Sequence, residues 1–388
     1  MLAAARSLSR HSVPFLVLGV DVRSMVGVSR VARPHVLGRT PDAREEPEEF
    51  VASIVDSVRR HDVDLVLPTT DRTIYACVRH REVIEDEAPL AAPPTRAVLN
   101  VLDKKLNLET AHRLGIPCPV QFMLERIEQV PALIEQLGFP IVLKNPGPAA
   151  DGQRPRFHFR WLVAHDEAQL REYLDQHCPA GAFPIVQQLV TGTVRNVCCF
   201  AVEGEIVAIH EYISLRRSSG YSVFREICPL RLDLRRYAEA MLRELRWTGV
   251  AHLGFFVRAS DGDVRYMETN GRFWASLAGS VAAGWDFPYW TYDYFASGRR
   301  PEPRSLSHGV GQRSRWLYGD LADLVSHLGG DHEPGGAGRS RTRAVADYLS
   351  GFKPGTHADV FRLDDPLPEL VEHLRGARLA ISRYRHHR

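Results

Sequence analysis

Met267-Glu268-Thr269-Asn270-Gly271-Arg272 closes the second of two strand patterns that flank the turn residues Asp261-Gly262-Asp263. Alternation along that strand sets Glu268 and Asn270 on one face. A carboxylate and an amide oxygen side by side can hold Mg²⁺, which takes few protein oxygens and completes its octahedron with water and phosphate. Arg272, two residues on, is placed to meet a transferring phosphoryl group or an acyl phosphate. The same letters also read as a hairpin end with exposed polar side chains and no chemistry.

Working outward, the scarce lysines weigh on that choice. The chain has four, Lys104, Lys105, Lys144 and Lys353, and nearly every other cation is arginine. An ammonium is a compact point charge suited to a phosphate oxygen, where arginine brings a planar fork. Lys104 falls in a helix pattern that stops at Gly115-Ile116-Pro117-Cys118-Pro119. Lys144 ends the apolar strand from Pro140, just ahead of a Gly/Pro loop. Two lysines from separate elements and a carboxylate–amide–arginine strand end make a nucleotide-phosphate clamp. Lys105 reads as an exposed neighbour.

The remaining patterns are those of an α/β protein. Residues 2–10 read as a helix, Val13 to Gly19 as a buried strand, 48–60 as a helix and Val63 to Pro68 as another strand, a parallel-sheet economy. The chain opens on that helix with no strand pattern before it, so a first strand and its loop are expected outside this reading frame. From about 119, short strands (120–124, 140–144, 157–163, 184–189) and helices (126–137, 166–176) make a two-layer unit small enough to move as a lid. Residues 193–228 are strand-rich with a turn at Glu203-Gly204. A helix follows at 233–246, then the hairpin, then helices near 274–283 and 286–297. A Gly/Arg-rich loop, Gly329 to Arg343, interrupts the tail, and Arg383 to Arg388 reads as a frayed basic end.

Composition narrows the class. At 388 residues, two or three compact units are expected. A net charge of +2, with arginines scattered among acids, gives no stripe for nucleic acid. No apolar run approaches the length of a membrane span, and residues 1–6 lack the apolar stretch of a signal peptide. Six cysteines without a C-x-x-C pair are expected to be reduced in a cytoplasmic protein, with adjacent Cys198 and Cys199 on opposite faces of a strand. No G-x-G-x-x-G follows a strand, which sets an oxidoreductase reading aside.

In order and spacing, the motifs resemble the ATP-grasp superfamily, most closely its carboxylate–amine ligase branch, related to the carbamoyl-phosphate synthetase large subunit. The resemblance covers roughly residues 1–300. It rests on Asp103-Lys104, Leu114-Gly115-Ile116-Pro117-Cys118-Pro119, Phe139-Pro140-Ile141-Val142-Leu143-Lys144, Val186 to Gly192, Trp247-Thr248-Gly249-Val250-Ala251 and Glu268 to Leu277. It implies an ATP-grasp fold with 1–93 as an N-terminal parallel-sheet domain and 94–190 as a linker helix and small α+β lid. Residues 191–300 would be the C-terminal α+β half, and 301–388 an extension of unknown role. It implies ATP and Mg²⁺, with Lys104 and Lys144 on the nucleotide phosphates and Gln187, Gln188, Leu189 and Val190 as the adenine hinge. Glu268 and Asn270 would be metal ligands, and Arg272, with Lys144, catalytic. Its partners would be small-molecule carboxylate and amine substrates, and a second copy of the chain in a homodimer, without nucleic acid or membrane.

Asp71 reads either as a contact for the substrate amine, in the crevice where open α/β sheets bind ligands, or as a helix N-cap. Arg225, followed by Glu226, resembles the substrate-facing positions, or forms an outward ion pair. Ser218 to Ser222 reads as a polar loop over phosphates or as a surface hairpin.

Three positions depart from the family's pattern. Gly254 stands where a further metal ligand is usual, Gln188 where Glu is common, and Asn145 where Pro follows the lysine. His252, on the same strand face as Gly254, either compensates or packs. The reading therefore carries an alternative: a catalytically degenerate ATP-grasp protein that binds nucleotide in a regulatory or scaffold role.

Overall fold

The computed structural model describes residues 1–147, 157–178, 182–218, 220–329 and 340–386. Its N-terminal part runs α1 (Leu2–Arg10), β1 (Val17–Leu18), β2 (Val36–Gly38), α2 (Pro47–His61), α3 (Asp71–Arg79), α4 (Arg81–Glu85), α5 (Thr95–Leu102) and α6 (Lys104–Arg113). Parallel pairing is present, β1 with β2 and Val66 with Leu90. The two expected strands are shorter than read, however. Val13 to Gly19 is a strand only at Val17–Leu18, and Val63 to Pro68 keeps a single bridge at Val66. The physical reason is a missing neighbour: an extended segment paired along one edge has half a ladder.

The linker is two helices, not the one expected. Asp103 breaks it, and its carboxylate accepts the N–H groups of Lys105 and Leu106 at 3.0 and 3.3 Å. This N-cap, worth about 1 kcal/mol, makes Lys104 the first residue of α6. The Lys104 N–H donates to the carbonyl of Pro146 at 3.0 Å, which ties the helix start to the loop after Lys144. Gly147 permits that approach, since a Cβ there would lie 2.4 Å from the Leu102 carbonyl oxygen.

A small α+β unit, the expected lid, follows as β3 (Gln121–Phe122), α7 (Val130–Leu137), β4 (Ile141–Lys144), β5 (Trp161–Ala164), α8 (Glu167–His177) and β6 (Ile185–Gln188). Its antiparallel sheet, in the order β3-β6-β4-β5, is closed on one side by its own core of Leu133, Leu137, Leu143, Leu170 and Val186.

The largest sheet is built from β7 (Thr193–Val202), β8 (Glu205–Ser218), β9 (Tyr221–Cys228), β10 (Gly249–Val257) and β11 (Val264–Asn270), with α9 (Leu232–Glu244) between β9 and β10. Then come α10 (Leu277–Ala282), α11 (Phe287–Ser297), β12 (Arg313–Arg315), α12 (Leu317–Gly329), α13 (Arg341–Ser350), β13 (Thr356–Ala358) and α14 (Leu367–His386). The sheet order is β11-β10-β7-β8-β9-β12-β13, so strands of the 301–388 segment extend it. Most of the Gly329 to Arg343 loop lies outside the described residues. Backbone helix continues through His386, where a frayed end was expected.

Each face of this sheet has its own core. Cys199 packs with Trp247 and the N-terminal helices, Cys198 with Trp274, Trp285 and Phe287. The adjacent cysteines therefore do point to opposite faces, and all six are free. Trp247 is fully buried and lies against Gly271, where a Cβ would come within 2.5 Å of the indole. That contact carries the β10 approach to the end of β11, and so positions the strand end that holds the site.

Candidate functional site

Three elements converge on one cluster. Lys104 begins α6, Lys144 ends β4, and Glu268 lies near the end of β11. Lys104 Nζ is 3.9 Å from Glu268 Oε2. Burial pushes the Glu268 carboxyl up, but Lys104, the Asn270 amide, Arg160 and Lys144 together outweigh it and hold the group at about 2. Burial, then Lys104, lowers the Lys144 ammonium to about 8, against a smaller opposing pull from Glu268. The cluster is thus short of negative charge on its lysine side, which is the condition for an anion site.

Two cavities meet at this cluster. A slot of about 140 Å³ runs between lid and main sheet, lined by Lys144, Gln187, Leu189, Val190, Phe256 and Met267. A wider cavity of about 610 Å³ is lined by Asp71, Arg72, Asn145 and Asn270. Lys104, Arg160 and Glu268 line both. At the far end of the slot, Gln187 is 1% exposed and its Nε2 makes no hydrogen bond among the described residues, so the slot wall presents a free amide donor. Gln188 turns its side chain outward while its N–H donates to Val120 at 3.0 Å, and the Leu189 N–H donates to Pro140 at 3.2 Å. Those bonds fix the 187–190 backbone to the lid.

Asn270 is held from three sides. Its amide donates to Glu268 Oε1 at 3.2 Å, and its oxygen accepts from Arg272 Nη2 at 3.4 Å. His252 Nδ1 lies 3.5 Å from the same amide, and its Nε2 is 3.0 Å from the Tyr212 hydroxyl. With Nδ1 accepting, Nε2 carries the hydrogen. His252 stacks on Trp274, and burial followed by Arg272 lowers it to about 4, so it is neutral and packs. It positions Asn270.

The donor set fits one Mg²⁺. Glu268 is ionised and Asn270 shares its strand face; with the Asn270 amide turned over, so that its oxygen and not its nitrogen meets Glu268, the pair suits a hard cation that takes its other ligands from phosphates and water. The β10–β11 register puts Gly254 directly opposite Glu268, so no side chain arrives from β10. Among the described residues no cluster of three His, Cys, Asp or Glu side chains offers a fuller metal cage.

Two expectations are corrected. Asp71 does not cap its helix, since Thr70 is the N-cap of α3; it lines the wider cavity with its carboxylate half-exposed. Both Asp71 oxygens accept from Arg272, from Nε and Nη2 at 2.9 Å each. Arg225 lines neither cavity and makes no outward pair. It is 3% exposed, donating to Ser314 Oγ at 2.8 Å, to the Ser222 carbonyl at 2.6 Å and to Asp359, while Glu226 pairs with Arg313 at 2.6 Å. Strand β12 covers β9, so the expected surface is interior. Ser218 and Ser222 belong to the paired strands β8 and β9, and Gly220 lines the slot, while Ser219 lies outside the described residues. Asn145 holds the lid loop, donating to the carbonyls of Phe157 and Phe159 at 3.1 and 2.9 Å.

Arg160 and Met267 were missed. Arg160 precedes β5 in a stretch with no spacing to mark it, and only the β4–β5 pairing brings it beside Lys144. Met267 follows directly from the quoted strand, as the side chain next to Glu268.

No protein-family model and no curated protein sequence matches the chain. Solved structures do. The biotin carboxylase domain of the Hydrogenobacter thermophilus 2-oxoglutarate carboxylase, solved as a dimer with MgADP, ADP and bicarbonate, is 14% identical with a TM-score of 0.62, over 80% of this chain and 71% of that one. Biotin carboxylase from Campylobacter jejuni, in a βγ-ATP complex, is 15% identical with a TM-score of 0.60 over the same shares. PurK, an N5-carboxyaminoimidazole ribonucleotide synthetase solved with ADP, is 15% identical with a TM-score of 0.61, over 90% of this chain and 93% of that one.

Proposed function

This chain has the ATP-grasp fold, and on that premise we propose that it is an ATP-dependent ligase joining a carboxylate to an amine. The observation that carries the reading is the junction of the two cavities at Lys104, Arg160 and Glu268. A nucleotide in the slot would bring its terminal phosphate to that junction, and a carboxylate in the wider cavity would meet it there. Lys144 and Lys104 bind phosphate oxygens, Gln187 to Val190 receive the adenine, and the lid excludes water. Mg²⁺, held by Glu268 and Asn270, would neutralise phosphate charge when bound.

In the first step a substrate carboxylate oxygen forms a bond to the γ-phosphorus as the bond from that phosphorus to the β,γ-bridging oxygen breaks, releasing ADP. In the second, the amine forms a C–N bond to the acyl phosphate carbon, phosphate leaves with the C–O bond, and the amine loses a proton. Arg272 is held toward this end of the site by Asp71, and stabilises charge on the transferring group once it turns from that carboxylate. A homodimer belongs to the same reading, since the Hydrogenobacter domain was solved as one.

ADP release from the protein with ATP, Mg²⁺ and pools of amino acids and small carboxylates tests this. Release that requires both a carboxylate and an amine is the expected result. Clear nucleotide binding without turnover in any pool favours the second reading, a nucleotide-binding regulator, which rests on Gly254.

Gly254→Glu separates the two further. A Cβ there would meet Asn196 Oδ1 at 3.5 Å and Met267 at 3.6 Å, ordinary contact distances, so a side chain is accommodated. The variant is expected to tighten Mg²⁺-dependent nucleotide binding by about tenfold, one added charged contact, with no gain when Mg²⁺ is chelated. Equal affinities by calorimetry would remove position 254 from the metal site.

A further inference from the structure

Asn270 is drawn in two directions. On one side its Nδ2 donates to Glu268 Oε1 at 3.2 Å, and its Oδ1 accepts from Arg272 Nη2 at 3.4 Å. Both contacts turn the amide nitrogen toward Glu268, the wrong orientation for a cation between the two side chains. On the other side stands a row of three side chains from separate elements. His252 is the cross-strand partner of Asn270 on β10, and its Nε2 is 3.0 Å from the Tyr212 hydroxyl of β8. The Ser276 hydroxyl, just ahead of α10, donates to Tyr212 at 2.9 Å. Tyr212 and Ser276 are buried, and Trp274 stacks on the imidazole.

The hydrogens of this row can be counted. With the amide as found, His252 Nδ1 accepts from Asn270 Nδ2 at a loose 3.5 Å, and Nε2–H donates to Tyr212. One hydroxyl hydrogen, that of Tyr212 or of Ser276, is then without a partner among the described residues. A buried hydroxyl left in that state is costly. In the opposite direction every hydrogen is used. Ser276 donates to Tyr212, Tyr212 donates to His252 Nε2, and Nδ1–H donates to an oxygen on Asn270. That oxygen is the one a hard cation beside Glu268 needs.

We propose that Ser276, Tyr212 and His252 are a positioning relay that turns the Asn270 amide when Mg²⁺ and nucleotide enter the site, the imidazole changing tautomer as the amide turns. The relay belongs to the Mg²⁺-nucleotide reading of the site and rests on it. Without the cation, Glu268 draws the amide nitrogen. With it, two oxygens can share that side, and the relay supplies the hydrogen bond that holds Asn270 there. The ring stays neutral: it loses the hydrogen at Nε2 and gains one at Nδ1 by exchange with water in the cavity that Asn270 lines, while the two hydroxyls rotate. The turn also sets an amide N–H against Arg272 Nη2, donor against donor. Arg272 then loses its contact with Asn270 and keeps Asp71 and the Phe273 carbonyl. Cation loading is thereby coupled to the arginine that meets the transferring group.

The test uses the full chain with ¹⁵N-labelled histidine, followed by NMR with and without MgADP, while calorimetry on the same samples shows whether MgADP binds. The His252 ring is assigned through its contacts with the stacked Trp274 indole. The expected result is a hydrogen on Nε2 in the free protein and on Nδ1 with MgADP bound, with no change when ADP is added with a chelator. A ring that keeps its Nε2 hydrogen while MgADP is bound overturns the relay and leaves the nucleotide reading standing. Absence of MgADP binding overturns that reading, and the relay with it. Tyr212→Phe removes the donor to Nε2 and should weaken MgADP binding by about fivefold, the worth of one hydrogen bond, with ADP binding in chelator unchanged. An equal loss under both conditions, or no loss, means a structural role and overturns the relay. If that variant does not fold, Ser276→Ala, one step further from the amide, is read by the same comparison.

Discussion

Lys144→Ala is expected to weaken ATP binding by about thirtyfold to a hundredfold, the ~2–3 kcal/mol of a charge-assisted contact to phosphate in a sheltered slot. The fold should survive, because Lys144 ends β4 and its side chain faces the slot, not the lid core. Isothermal calorimetry against the parent chain checks this, and unchanged affinity would remove Lys144 from the phosphate site. The pH dependence is a sharper signature. Burial and Lys104 bring the ammonium to about 8 in the free protein. Below that value the group is already charged and binding takes up no proton through it. Above it, nucleotide must pull a proton onto the amine, so affinity falls as pH rises and proton uptake appears. Titrations near pH 9 in buffers of different ionisation heat measure that uptake. Lys144→Ala should abolish it.

Asp320→Ala carries the second large effect, on stability. Asp320, on α12, is 1% exposed. It accepts from Arg216 of β8 through both oxygens at 2.6 Å, and from Arg315 of β12. Arg315 is itself fully buried, with its guanidinium against the rings of Tyr348 and Phe352, 4.3 and 4.2 Å from their centres. Removing the carboxylate leaves two guanidinium groups without their counter-charge, a loss of about 3–5 kcal/mol by comparison with broken buried pairs. Asp320→Asn keeps an acceptor and should lose less than the alanine variant. Thermal and urea unfolding of the three proteins measure the order. Equal stability of Asp320→Ala and the parent would mean that the 301–388 segment is not fastened through this carboxylate.

The parts of the site legible beforehand share a property: their geometry follows from residues a few positions away. Glu268 and Asn270 share a face because a strand alternates. Lys144 is presented because an apolar strand stops at it. Lys104 is oriented by Asp103, one residue earlier. Arg272, Asp71 and Arg225 were named from equally clear local patterns, yet their partners come from afar. Asp71 and Arg272 are 201 positions apart, and Arg225 meets Asp359 across 134. No local period encodes which distant charge will arrive. The N-terminal strands fell short for a related reason: strand propensity marks extended backbone, but a ladder needs a neighbour, and two of these edges lack one.

By itself the sequence determined the α/β class, the element order of lid and hairpin, and the residue types at the phosphate end of the site. These follow from periodicity and end signals, which act through neighbours along the chain. Only the tertiary structure decided that the quoted strand end faces two cavities, that Gly254 lies across from Glu268, and that Asp71 engages Arg272. Burial, charge pairing and the lowered ammonium of Lys144 depend on what packing brings within a few ångströms, and that distance is not written in the spacing of the letters.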